Sequence, residues 1–315
     1  MSRASLLLLA LLGTLAPAAA CAQPSAAPGA ETWAPATESF PAVRQRHLHS
    51  VSTGRDYRIL VSLPETPPPA AGFPILYVLD GHASFPFAAL LARERSERGP
   101  VLGIDPGIVV GIVHLKTDTD PNPRAEDFTP PAADLADTGD FSGNKQGGAD
   151  RFLDFLENEL KPLLAAEFKI NPSRQTLFGH SYGGLFALHT LFTRPAAFQH
   201  YVAASPSIWW NHRHVLTERD AFLKTTLPEL LKAAGSPPSL VLSVGDQEQT
   251  PLPHHLKAGR AEMLVSRRMV DNARDLSANL AAAGLPTRLY LFENENHGTA
   301  RTPALNHAVR VAFGE

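Results

Sequence analysis

Gln175-Thr-Leu-Phe-Gly-His-Ser-Tyr-Gly-Gly-Leu185 is the stretch whose reading decides the fold. A short apolar strand runs into Gly179-His180-Ser181-Tyr182-Gly183, and a helical pattern over 185–192 follows at once. That is G-x-S-x-G in the strand, sharp turn, helix context that a nucleophile elbow requires. Such a turn strains the serine backbone, so the residues two before and two after Ser181 are expected to be small enough for strand and helix to pass closely. It also holds the Ser181 hydroxyl above the sheet and sets the Tyr182 N–H at a helix N-terminus, where it can stabilise an oxyanion. Five residues with three fixed positions recur by chance, so the flanking pattern carries the weight.

Working outward, the runs over 73–79 and 107–114 are continuous Val, Ile and Leu without alternation, which marks strands covered on both faces in a parallel sheet. A helix over 85–95, with Pro86 in its first turn, lies between them. Upstream, 44–51 and 57–63 read as a hairpin around the turn at 52–56. Downstream, a helix over 149–168, bent at Pro162, leads to the elbow. Strands over 201–204, 239–244 and 287–292 then alternate with a helix over 221–234, broken at Pro228, one long helix over 261–283 and a closing helix over 304–313. The expectation is an α/β protein of the α/β-hydrolase fold, a mostly parallel central sheet flanked by helices. Residues 116–148 break the pattern with Asp, Pro and Gly; so long a loop reads as a lid or binding loop.

The 315 residues are 44% hydrophobic, enough for one core, and a formal net charge of −3 without a basic cluster excludes nucleic acid as a partner. Met1-Ser-Arg3, an apolar run over 6–15 and small residues over 18–22 have the layout of an export signal, too short to span a bilayer. We expect a signal peptide at 1–22, a disordered linker rich in Ala, Pro and Ser at 23–42, and a catalytic domain at 43–315, exported and periplasmic. Ala20-Cys21-Ala22 fits an ordinary A-x-A cleavage site. The alternative is a lipid anchor on Cys21, the sole cysteine, and membrane contact is expected only in that case; the mature chain is left without an internal disulfide.

In α/β-hydrolases the catalytic groups come in the order Ser, acid, His, each past the C-terminal end of a strand. Here that order is Ser181, then Glu248 or Asp246, then His297. A serine hydroxyl needs an imidazole to take its proton, and the imidazole needs a carboxylate to fix its tautomer. Glu248 is preferred because it lies three residues beyond Gly245, far enough to turn back over the sheet, whereas Asp246 has the position of a turn residue. With both in solvent, a Ser-His dyad would remain. His180, inside the elbow, should point away from the Ser181 hydroxyl. The loop after 73–79 offers the backbone N–H of His82 as a second oxyanion donor beside Tyr182. His82, His114 and the pair His254-His255 are held in reserve, and no histidine cluster has metal spacing, so neither metal nor cofactor is expected.

Phe178-Gly-His-Ser-Tyr-Gly-Gly184, Ser205-Pro-Ser-Ile-Trp-Trp-Asn211, Tyr77-Val-Leu-Asp-Gly81, Asp127-Phe-Thr-Pro130 and Asn296-His-Gly298 together resemble the "putative esterase" group of α/β-hydrolases, and within it the siderophore esterases that cut ferric-enterobactin-type trilactones. The resemblance runs from Val43 to the C-terminus. It implies a serine esterase working through an acyl-enzyme on a small-molecule ester such as a ferric siderophore, with Ser181 and His297 catalytic and Arg124, Trp209 and Trp210 facing substrate. Arg124 would pair with a catecholate or carboxylate, or sit in an ordinary salt bridge; a double Trp is also a common packing unit. A feruloyl or acetyl carboxylesterase, a thioester hydrolase and an acyltransferase share these features. An exported siderophore-binding protein is the non-enzymatic alternative.

Overall fold

The computed structural model describes residues 43–140, 142–233, 236–250 and 259–314. The expected signal, linker, Cys21 and the pair His254-His255 lie outside them. Eight strands, β1 (Val43–His49), β2 (Asp56–Ser62), β3 (Phe73–Val78), β4 (Ile108–His114), β5 (Ile170–His180), β6 (His200–Ala204), β7 (Ser239–Gly245) and β8 (Thr287–Phe292), form one sheet in the order β1-β2-β4-β3-β5-β6-β7-β8. The first two pairings, β1 with β2 and β2 with β4, are antiparallel, and every later neighbour is parallel. Strand order reverses around β3 and β5, and at such a switch point parallel sheets open a crevice beyond their C-terminal strand ends.

The uninterrupted apolar strands sort their side chains onto two faces with the period of two that any strand imposes. Ile75, Tyr77 and Leu79 enter one core, while Leu76 and Val78 enter another on the opposite face. The second core is capped by α1 (Gly81–Glu97), through Phe85 and Ala88, and by the closing helix, through Leu305 and Phe313. The first is covered by α3 (Ala149–Phe155) and the elbow helix α5 (Tyr182–Thr193), where Phe128, Phe152 and Phe186 meet with ring centroids 5.1 to 5.8 Å apart. Full burial of each such ring stabilises the fold by roughly 1.5–3 kcal/mol.

Several boundaries depart from the sequence expectation. Helix α1 starts at Gly81 rather than four residues later, and the loop over 116–148 holds a one-turn helix, α2 (Arg124–Asp127). The helix expected over 149–168 carries a π-turn at Leu156–Leu160 before α4 (Lys161–Glu167), and another π-turn at Phe222–Thr226 precedes Pro228. Both widened turns end within two residues of a proline, whose missing N–H and bulky ring disfavour the regular ladder. The long helix expected over 261–283 is two: α6 (Arg260–Arg267) and α7 (Met269–Ala282), separated by Arg268 in the left-handed region at φ 48°. The chain then closes with α8 (Arg301–Phe313). Among the described residues no helix is long and apolar enough to cross a membrane.

Candidate active site

Ser181 sits between β5 and α5 at φ 62° and ψ −118°, a strained conformation for a residue with a side chain. Three bonds hold it there: its N–H donates to the Ala204 carbonyl at 2.9 Å, and its carbonyl accepts from Leu185 at 3.0 Å and Ser207 at 3.1 Å. A Cβ on Gly179 would overlap the carbonyl of Gly183, so glycine is obligatory there. The expectation for Gly183 needs correcting. A Cβ there would meet the Leu79 side chain at 3.5 Å and Asp80 Oδ2 at 3.6 Å, both ordinary contacts, whereas one on Gly184 would press on the Ala204 carbonyl at 2.9 Å and Pro206 at 3.0 Å. On the helical side, the residue that excludes a side chain is therefore Gly184, one later than the pattern suggests, while the Gly183 backbone is what passes close to Gly179.

The Ser181 hydroxyl makes no capping bond to its own helix. Its Oγ lies 3.0 Å from Nε2 of His297, and Nδ1 of His297 lies 2.6 Å from Oε2 of Glu248. The imidazole is 40% exposed and the carboxylate fully buried. A buried carboxylate must be paired and hydrogen-bonded to be tolerated. Glu248 meets that need, because its other oxygen accepts from the Gly245 N–H at 2.8 Å and from the Ser205 hydroxyl at 2.5 Å. With the carboxylate on Nδ1, the ring donates there and presents an unprotonated Nε2 to the serine, the tautomer a general base requires. Among the described residues no hydrogen bond joins Asp246 to His297; Asp246 opens the short turn that swings Glu248 inward.

Two loops are locked so that acid and base meet. A Cβ on Gly245 would overlap the Glu295 carbonyl, so its absence lets the loop after β8 cross the end of β7, and the Gln247 N–H then bonds that carbonyl at 3.1 Å. His180 is turned away from the hydroxyl, as expected. It is buried, with Nε2 2.8 Å from the His297 carbonyl, and burial, reinforced by the charge of His297, pushes it down to about 3. A neutral ring donating to that carbonyl fixes the backbone carrying His297.

Tyr182 is the first residue of α5 and His82 the second of α1, so both N–H groups belong to the helix-start donors that have no intrahelical acceptor. Arg124 is held by Asp80, Nε to Oδ1 at 2.6 Å and Nη2 to Oδ2 at 2.9 Å, with its guanidinium 5.2 Å from the Phe128 ring centre and 5.6 Å from that of Tyr182. Burial would raise the Asp80 carboxyl, but the Arg124 charge outweighs it and holds the group below its usual range. Arg124 thus reaches the site with its charge already matched. The tryptophans divide. Trp209 lines the cavity, but Trp210 is fully buried, its Nε1 donating to Gln146 at 2.8 Å, so the expectation that it faces substrate is overturned by its place in the core.

The cavity at Ser181 measures about 290 Å³. Besides Ser181, His297 and Glu248 it is lined by Arg124, Asp140 and Asn144 from the long loop and by Arg260, Met263, Leu264 and Arg267 from α6. Arg267 lies 3.8 Å over the Trp209 ring. Among the described residues neither Arg260 nor Arg267 has a carboxylate in salt-bridge range, although Asp140 in the same lining lies near enough for its charge to act on Arg267. Sequence reasoning missed Ser205, Asp80 and Arg267. Ser205 and Asp80 stood at strand ends inside quoted motifs, a usable signal; Arg267 was taken for one position of a long helix.

The family model described as "Putative esterase" matches residues 50–279. Ferri-bacillibactin esterase BesA of Bacillus subtilis (strain 168) is 35% identical over 281 residues, spanning 87% of this chain and 91% of that protein. The siderophore triacetylfusarinine C esterase of Aspergillus fumigatus is 38% identical over 278 residues, 82% and 89% of the two chains. Among solved structures, the siderophore hydrolase EstA from Aspergillus nidulans aligns with a TM-score of 0.75 at 33% identity, covering 89% of this chain and 97% of that one. With this match over most of its length, the chain belongs to that esterase family and has the α/β-hydrolase fold.

Proposed function

We propose that the chain hydrolyses the ester bonds of an anionic, lactone-type siderophore through an acyl-enzyme on Ser181. The observation that carries this reading is the unbroken chain Ser181, His297, Glu248, with steps of 3.0 and 2.6 Å, opening into a cavity lined by Arg260 and Arg267. His297 Nε2 takes the hydroxyl proton as Oγ attacks the ester carbonyl, and Glu248 stabilises the imidazolium that forms. The N–H groups of Tyr182 and His82 receive the oxyanion. The imidazolium then protonates the leaving alkoxide, and a water molecule activated by the same ring releases the acid and frees Ser181. Arg260 and Arg267 attract the substrate's negative charge, and Trp209 supplies a flat apolar face. The names of the relatives support a siderophore ester as substrate.

The test is a panel of ferric and metal-free trilactone siderophores beside feruloyl, acetyl and p-nitrophenyl esters. The ferric trilactone should give the highest kcat/KM, and Ser181→Ala should lower kcat by about 10⁴-fold or more on every substrate cleaved. Undiminished turnover by Ser181→Ala would refute the acyl-enzyme; preference for feruloyl or acetyl esters would refute the siderophore. Ser205→Ala removes one donor from buried Glu248 and should lower kcat about tenfold with KM unchanged, since losing one neutral hydrogen-bond partner costs about 1.4 kcal/mol. We also propose export by residues 1–22, cut at the A-x-A site, with 43–315 as the catalytic domain; N-terminal sequencing of protein from the periplasmic fraction tests this.

A further inference from the structure

A second, larger cavity lies at the other end of the sheet, where the parallel strands begin. It measures about 880 Å³ and is lined by Arg174 of β5, His200 of β6, Tyr290 and Arg288 of β8, and His307 and Arg310 of α8. Ser181 lies seven residue steps beyond Arg174 along β5, about 23 Å at 3.3 Å per residue, and the two cavities share no lining residue.

Its chemistry is one-sided. Arg174 is partly matched by Asp105, and its Nη2 also donates to the Gly314 carbonyl at 3.0 Å. Among the described residues Arg288 and Arg310 have no carboxylate in salt-bridge range, so three guanidiniums face one carboxylate in a chain whose formal charge is −3. Two imidazoles lie in the same field. His200, with Nδ1 2.8 Å from the Ser239 hydroxyl, is held below its ordinary range by burial and then by the Arg174 charge. His307, stacked on Tyr290 at 3.8 Å, is held down by burial and then by Arg310 and Arg95. Like charges gathered without counter-charges repel one another, and a bound anion relieves that repulsion.

We propose that this groove is a binding site for a small multivalent oxyanion, bearing phosphate or carboxylate groups, with Arg288 and Arg310 as its principal ligands and Arg174 completing the charge. The planar fork of each guanidinium suits either group. The stacked pair Tyr290 and His307 offers a flat wall to any ring the anion carries. Binding here would stabilise the native state by mass action without entering the ester-cleaving site.

Titration of the full chain with pyrophosphate and with citrate, followed by calorimetry and thermal unfolding, tests the site. Saturable binding with a rise in Tm is expected, about tenfold weaker in 0.5 M salt, where screening shortens to a few ångströms. The double variant Arg288→Gln with Arg310→Gln should lose at least about tenfold in affinity while retaining ester hydrolysis, and in the parent the ring resonances of His200 and His307 should titrate at higher pH when the anion is bound. Response to pyrophosphate alone assigns a phosphate ligand, response to citrate alone a carboxylate, and response to both the shared class. No binding of either, or equal binding in the double variant, overturns the proposal. So does binding that appears only when Glu315 is deleted, because the arginines would then serve the chain's own acidic residue.

Discussion

The loop over 116–148 and the helix α6 both border the catalytic cavity, and they are fastened in opposite ways. The loop has almost no regular structure, yet Asp127 inside it is buried and accepts from Nη1 of Arg55 at 2.6 Å, the Tyr57 hydroxyl at 2.6 Å and Nε2 of His114 at 3.1 Å. Farther along, the Gly147 N–H bonds the Thr129 hydroxyl at 2.7 Å, the Tyr182 hydroxyl bonds Asp140 at 2.6 Å, and the Asn211 N–H bonds the Thr138 carbonyl at 2.8 Å. Helix α6 is helical along its whole length but has not one buried residue, and it is entered and left through left-handed residues, Gly259 at φ 84° and Arg268 at φ 48°. Regular backbone and rigid attachment are therefore separate properties. What fixes a segment is the number of buried groups that lose their partners when it moves.

The largest effect should come from breaking the loop's anchor. Asp127→Ala removes the buried acceptor shared by Arg55, Tyr57 and His114, while Arg55 keeps Asp120 and Glu126 and Tyr57 keeps Thr53. Three hydrogen bonds to one charged acceptor are lost together, each worth about 1.5–3 kcal/mol, so urea unfolding should show a loss of at least about 3 kcal/mol, with activity falling as the loop's cavity residues disperse. A cost under about 1 kcal/mol would mean that the loop is held by its apolar residues, chiefly Phe128, instead.

The next effect concerns the loop's exit into α3. His189, buried on α5, places Nε2 3.1 Å from Asp150 at the start of α3 and Nδ1 2.9 Å from Glu218. Burial would lower its pKa, but the two carboxylates prevail and carry it up to about 9 from the ordinary 6.5. Because the folded-state value is the raised one, the stabilisation is complete below pH 6.5 and disappears as pH climbs through 9. A shift of this size corresponds to roughly 3 kcal/mol. Urea midpoints measured from pH 6 to 9.5 should fall accordingly, and His189→Gln should flatten that fall; an unchanged slope would assign it to other groups.

The same contrast explains what the sequence disclosed. The elbow at Ser181, the parallel core and the succession Ser181, Glu248, His297 were legible because each rests on a local pattern: glycines about a turn, continuous apolar strands, polar residues just past strand ends. Ser205 donating to Glu248 and His189 bridging Asp150 and Glu218 were not, since they join residues 43, 39 and 29 positions apart that no periodicity relates. Trp210 was misjudged for the same reason: its partner Gln146 lies in a loop whose polar composition resembles that of a solvated insertion. The break at Arg268 escaped because an arginine in the left-handed region has no composition signal, unlike the glycine that normally occupies it.

The smallest effect on stability, and the sharpest test of the comparison, belongs to α6. Val265 is 57% exposed and Met263 36% exposed, so Val265→Gln with Met263→Gln removes little buried area and should change unfolding free energy by no more than about 0.5 kcal/mol. Met263 lines the cavity, however, and a polar side chain there meets any apolar part of the substrate, so KM should rise several-fold while kcat holds. Amide exchange separates the two segments directly. Backbone N–H groups of α6 should open at a cost near zero to about 2 kcal/mol, because freeing the helix exposes no core, whereas those of Ala125, Phe128 and Gly148 should approach the cost of global unfolding. Slow exchange throughout α6 would show that contacts with Trp209 and Met269 hold it as firmly as Asp127 holds the loop, and the distinction between the two walls would fall.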